Sequence, residues 1–95
     1  MNDNEMLSLL EEAAGKLSMV VEYDDLRKGA VNTPGGAFVL RGERHILLHR
    51  YLPVKEKIEI LAEILARQEI EGVELPPAVR HKLESARNFF KRPVS

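Results

Sequence analysis

Residues 55–71 read Lys-Glu-Lys-Ile-Glu-Ile-Leu-Ala-Glu-Ile-Leu-Ala-Arg-Gln-Glu-Ile-Glu, and this stretch decides the fold. At about 100° per residue, Ile58, Ile60, Leu61, Ala62, Ile64, Leu65 and Ala66 cover about two thirds of a helical circumference. Only Glu59, Glu63 and Arg67 form a polar stripe. A helix apolar over that arc must be covered on two sides, by a sheet and by another helix. Leu52-Pro53 precedes it, and proline near a helix start is tolerated because the first amides have no intrahelical acceptor. Gly72 suits the position just past its end.

Upstream lie the segments that can supply the sheet. Ala37-Phe38-Val39-Leu40 and His45-Ile46-Leu47-Leu48-His49 read as strands joined by the turn Arg41-Gly42-Glu43-Arg44, which makes a β-hairpin over residues 37–49. Residues 26–36, with Gly29, Asn32, Pro34, Gly35 and Gly36, read as a loop, expected to be the most mobile one. Met19-Val20-Val21-Glu22-Tyr23 is β-branched and aromatic and predicts another strand, closed by Asp24-Asp25. Before it, Met6, Leu9, Leu10, Ala13, Ala14 and Leu17 recur at helical spacing, with Asn2, Asp3 or Asn4 available as the cap. Downstream, Leu75-Pro76-Pro77 turns the chain, and Val79, Leu83, Ala86 and Phe90, with Phe89 beside them, mark a last amphipathic helix. The expected fold is α+β in the order α-β-β-β-α-α. A small three-stranded antiparallel sheet packs against the helices in one domain spanning 1–95, with 1–5 and 92–95 expected to fray.

Composition narrows the function classes. The chain has 95 residues, 44% apolar and 31% charged, which are globular values. It has no cysteine, so neither a disulfide nor a thiolate nucleophile or ligand is available. The acidic start has no basic n-region, and no apolar run reaches the roughly 18–20 residues of a membrane span, so a cytoplasmic protein without membrane contact is expected. The net charge of -1 argues against bulk attraction to nucleic acid. The charge is nonetheless segregated. Residues 26–57 carry seven bases, Arg27, Lys28, Arg41, Arg44, Arg50, Lys55 and Lys57, against two acids, and residues 77–95 are basic again.

A family likeness runs through residues 6–70. Ala14-Gly15-Lys16-Leu17-Ser18-Met19-Val20-Val21-Glu22-Tyr23-Asp24-Asp25-Leu26, then Gly35-Gly36-Ala37-Phe38, Arg44-His45-Ile46-Leu47-Leu48 and Ile60-Leu61-Ala62-Glu63-Ile64-Leu65-Ala66 follow one another as a helix, strand, hairpin and second helix. The series resembles the small bacterial zincin metallopeptidases that cut phage-type repressors. In those enzymes the second helix carries His-Glu-x-x-His, whose histidines four apart hold zinc while the glutamate activates the bound water. The resemblance places the ligand positions on Ala62 and Ala66 and the general base on Glu63. Alanine offers no donor atom, so the resemblance implies a zincin-like shell that has lost its motif: a pseudo-enzyme with no metal, no cofactor and no catalytic residue. Read without the resemblance, the two alanines let a neighbour approach the helix, and Glu63 pairs with Arg67 four residues on.

The remaining constellations are weaker. His45 and His49 share a strand face, where residues four apart sit about 13 Å from one another and cannot hold one metal; they are expected near solvent at the sheet border. Gly35-Gly36 lacks phosphate-loop spacing and precedes a strand. Ser8, Ser18, Ser85 and Ser95 lie in no nucleophile-elbow context. Lys82, Arg87, Lys91 and Arg92 give the last helix a basic side without the aromatic residues of a stacking platform. The expected function is a non-enzymatic protein- or peptide-interaction module, taking a partner by strand addition at the hairpin 37–49 or pairing as a homodimer. A small hydrolase with an unrecognised site and a weak nucleic-acid binder are the alternatives.

Overall fold

Local chemistry starts the first helix. In the computed structural model, which describes residues 1–26 and 35–91 (of 88–91 the backbone alone), α1 spans Asp3–Lys16. The Asn2 side chain accepts from the Glu5 amide at 2.9 Å, and Asp3 and Glu5 lie in the first turn, where acids favour the helix dipole. Residues 3–5, expected to fray, thus form the first turn. Leu17 caps the far end, and Ser18 adopts a left-handed φ of 61° that turns the chain into β1, Met19–Asp24.

The hairpin follows as β2, Gly35–Leu40, and β3, Glu43–His49. Its loop is only Arg41-Gly42, both with positive φ (52° and 80°), the mirror-image turn whose twist matches that of the strands. Both strands are longer than expected, and Gly35 and Gly36 belong to β2 rather than to a loop. At Gly35 a Cβ would stand 2.6 Å from the Leu47 carbonyl oxygen, so no side chain fits. The rest of the expected loop, 27–34, lies outside the described residues.

The strand order is β1-β3-β2, and the sheet is mixed rather than antiparallel throughout. The two-residue turn forces β2 antiparallel to β3, from Leu40↔Glu43 to Gly35↔Leu48. β1 runs parallel to β3, from Met19↔Arg44 to Asp24↔His49. Burial explains the order. β3 carries Ile46 and Leu48, both fully buried, and the middle position has neighbours on either side. The stretch between Asp24 and Gly35 is long enough to pass over the end of one strand, so β1 need not pair with β2. β3 therefore has no open edge, and of the hairpin only β2 can receive a further strand.

Helix α2, Val54–Ala66, and helix α3, Pro77–Lys91, complete the order α-β-β-β-α-α. α2 buries Ile58, Leu61, Ala62, Ile64, Leu65 and Ala66 among α1, α3 and the sheet, as its wide apolar arc requires. It ends at Ala66 rather than Glu71, and Arg67 is its cap. The reason is competition for its last carbonyls: Arg87 of α3 donates to the Ala66 and Gln68 oxygens at 3.0 and 2.9 Å, and the Gln68 side chain donates to Ile64. Gly72, with φ 82°, serves a separate turn. α3 contributes Val79 and Leu83; the side chains of Phe89 and Phe90 lie outside those described. No helix among the described residues is long and apolar enough to cross a membrane.

A polar tie joins α1 to β1. The Tyr23 hydroxyl donates to Glu11 Oε2, and Lys57 Nζ stands 5.2 Å from the Tyr23 ring centre. Burial, the hydrogen bond to Glu11 and its negative charge all push the Tyr23 pKa above the ordinary tyrosine value. A raised folded-state pKa means that this contribution is fully present below a pH of about 10 and is lost as pH climbs past it. Urea denaturation of Tyr23→Phe should accordingly show a shallower alkaline loss of stability than the parent; identical slopes would refute the tie. Leu61 and Leu65 are fully buried. Leu61→Ala or Leu65→Ala should each cost about 2–5 kcal/mol in the same assay, and near-parental midpoints for both would mean that α2 is not central.

Candidate functional site

The three positions highlighted by the family likeness do not gather around an opening. Ala62 and Ala66 are 1% and 3% exposed, the first within the core cluster and the second under α3, with Arg87 on its carbonyl. Glu63 alone reaches the surface, half exposed, its Oε1 3.4 Å from Arg67 Nη2. Among the described residues no group of three or more His, Asp or Glu side chains could hold a metal ion.

The histidines correct one expectation. His45 does not border solvent; it is 8% exposed. Its Nδ1 lies 3.0 Å from Glu22 Oε1 and its Nε2 3.0 Å from Glu43 Oε1, and its ring stacks on Phe38 with centroids 5.1 Å apart and planes 8° from parallel. It binds β1, β3 and β2 together across the sheet face away from the helices, where the strand register aligns Val20, His45 and Phe38. His49 has a different partner, its Nδ1 accepting from the Leu26 amide at 3.1 Å. The two histidines serve separate local ties.

Much of the basic character is spent inside the fold. Arg44 donates to the Leu17 carbonyl and, at 2.8 Å, to Gln68 Oε1. Arg80 donates to the Val73 carbonyl at 2.8 Å, and Lys82 pairs with Glu59 at 2.6 Å. With Arg87 on α2 and Lys57 on Tyr23, these cations hold loops and helix ends in place, which weakens the case for a nucleic-acid surface. Arg27, Lys28 and Arg92 and the side chain of Lys91 lie outside the described residues.

What the structure does open is the outer side of β2. Leu40↔Glu43 closes the two-residue hairpin as a hydrogen-bonded pair, so Phe38 and Leu40 point their amide groups toward β3 while Ala37 and Val39 point theirs away from the sheet. No other strand among the described residues adds to that edge. The strand carries no charge, and Phe38, Val39 and Leu40 are 41%, 68% and 54% exposed. Beside it runs a groove of about 460 Å³, with Gly35, Gly36 and Ala37 on one wall and Ile60, Glu63, Ile64 and Arg67 of α2 among the residues on the other. Glu63 and Arg67 give its rim one acid and one base.

The sequence held a sign of this edge. Gly-Gly-Ala-Phe-Val-Leu shows no polar-apolar alternation. Such a strand is covered on both faces or, as here, sits at an edge with apolar side chains in the open. No protein-family model, curated protein or solved structure matches the chain.

Two substitutions separate surface from structure. Glu63→Gln removes half of an exposed pair and should change stability by less than about 0.5 kcal/mol; a loss above about 2 kcal/mol would reveal a structural carboxylate. Arg87→Ala removes the donor from the Ala66 and Gln68 carbonyls at the end of α2 and should cost about 1–3 kcal/mol, read by thermal or urea melting. An unchanged melt would show that water replaces Arg87 without loss.

Proposed function

We propose that this chain is a non-enzymatic interaction module that receives an extended segment of another polypeptide along the outer edge of β2. The observation that carries the reading is an uncharged edge strand with outward amides at Ala37 and Val39 and exposed apolar side chains on both faces, lying beside a groove. Strand addition draws affinity from main-chain hydrogen bonds and selectivity from the side chains at alternate positions, so it needs no metal and no catalytic group. Neighbouring proteins would otherwise be deterred by a charge, a proline or a covering segment, and β2 has neither charge nor proline. Alanine at positions 62 and 66 supports the non-enzymatic part, and the likeness to repressor-cutting zincins supplies a precedent for a groove between a helix and a strand. On this view the chain keeps a binding surface on a scaffold without the zinc motif.

Amide exchange and a displayed-peptide selection test it. The Ala37 and Val39 amides should exchange faster in dilute protein than those of Phe38 and Leu40. Peptides selected from a random library should bind in extended form, protect those two amides, and lose affinity at least tenfold in Val39→Pro, where the missing N–H faces away from β3 and the sheet persists. Equal protection of all four amides in dilute protein, or selected peptides indifferent to Val39→Pro, would overturn the reading.

A further inference from the structure

We infer that the segment received by β2 is the β2 strand of a second copy of this chain, in a two-fold antiparallel pairing centred on Phe38. The inference rests on the strand-addition reading above and names its partner.

Three observations select this occupant. The first is the distribution of volume along the strand. Small residues, Gly35, Gly36 and Ala37, fill the first half and large ones, Phe38, Val39 and Leu40, the second. Antiparallel self-pairing sets one half against the other: Leu40 meets Gly36 of the second copy, Val39 meets Ala37, and Phe38 meets Phe38 on the axis. Away from the axis each large side chain then faces a small one, and on the axis each Phe38 ring, already stacked on His45, extends an aromatic row over the sheet face away from the helices.

The second observation is the backbone. Ala37 and Val39 are the described positions whose amide groups point outward within the core of the strand. In the Phe38-centred register Ala37 of each copy exchanges both its bonds with Val39 of the other, and the outward groups of both residues are paired. A register centred on Ala37 would instead set Val39 of each copy against Gly35 of the other, at the very end of the strand.

The third is charge. The edge strand is uncharged, the groove rim balances Glu63 against Arg67, and the whole chain carries only -1. Two copies therefore meet without like-charge repulsion, and a net charge so near zero favours association. The product is a continuous six-stranded sheet, β1-β3-β2 followed by its two-fold mate.

The absence of cysteine makes the register directly testable. Facing residues of a non-hydrogen-bonded antiparallel pair lie about 4.5 Å apart at Cα, within disulfide reach. Leu40 and its symmetry mate would stand about 13 Å apart, beyond it. Phe38→Cys should oxidise to a covalent dimer within minutes under mild oxidant, Leu40→Cys should not, and sedimentation of the parent should rise toward twice the chain mass with concentration while Val39→Pro stays monomeric. As a check free of substitutions, concentrating the parent should slow exchange at Ala37 and Val39. A parent that remains monomeric at millimolar concentration, with exchange unchanged, overturns the second-copy inference. If library peptides still bind β2 in that case, the strand-addition reading stands with a different partner; if they do not, both fall. A dimer that survives Val39→Pro, or one that cross-links through Ala37→Cys and not Phe38→Cys, overturns this edge or this register respectively.

Discussion

The structure depends on covering α2. Its apolar side chains occupy so much of the circumference that no single partner can remove them from water, and α1, α3 and the sheet each take a share. The rest of the architecture follows from that demand. β3 takes the middle of the sheet because Ile46 and Leu48 must be buried in the common core, to which α1 contributes Leu10, Ala13 and Ala14 and α3 contributes Val79 and Leu83. Ala62 and Ala66 fit the same scheme: small residues permit close approach of a neighbouring element, and both are buried.

Polar groups then fix how these elements meet. Arginines from α3 and β3 converge on the end of α2, where Arg87 satisfies the Ala66 and Gln68 carbonyls and Arg44 bridges Leu17 to Gln68. A helix terminus leaves carbonyls without partners, and a guanidinium with several donors can satisfy two of them at once. The far face of the sheet has its own knot in His45, held between Glu22 and Glu43 and under Phe38. These ties give a small domain a defined register, and they engage cations that would otherwise be free to attract nucleic acid.

The same economy leaves β2 exposed. With β3 in the centre, α1 packed on β1 and α2 meeting β2 from one face, β2 is bonded to β3 on one side and has no strand on the other among the described residues, and its apolar residues are only partly sheltered. The proposed interaction uses the edge that the packing leaves over, so the demand that places α2 at the centre also creates the surface where a second strand fits.

The elements and their order were legible in the sequence, because helical and strand periodicity, a capping residue among Asn2, Asp3 and Asn4, the turn at 41–44 and the prolines before α2 and α3 all act over a few residues. The sequence also identified the core of α2, since amphipathicity is a local property of a helix. The tertiary structure alone decided what depends on contacts between segments far apart in the chain. The parallel pairing of β1 with β3 joins segments some twenty-five residues apart, and the early end of α2 at Ala66 depends on an arginine some twenty residues downstream. The burial of His45 depends on one carboxylate from a different strand and on the ring of Phe38. The open edge belongs to this second class. An uncharged strand is legible in residues 35–40, but whether it lies in the middle of a sheet or at its rim is decided by which strand takes the central place, and burial of Ile46 and Leu48 gave that place to β3.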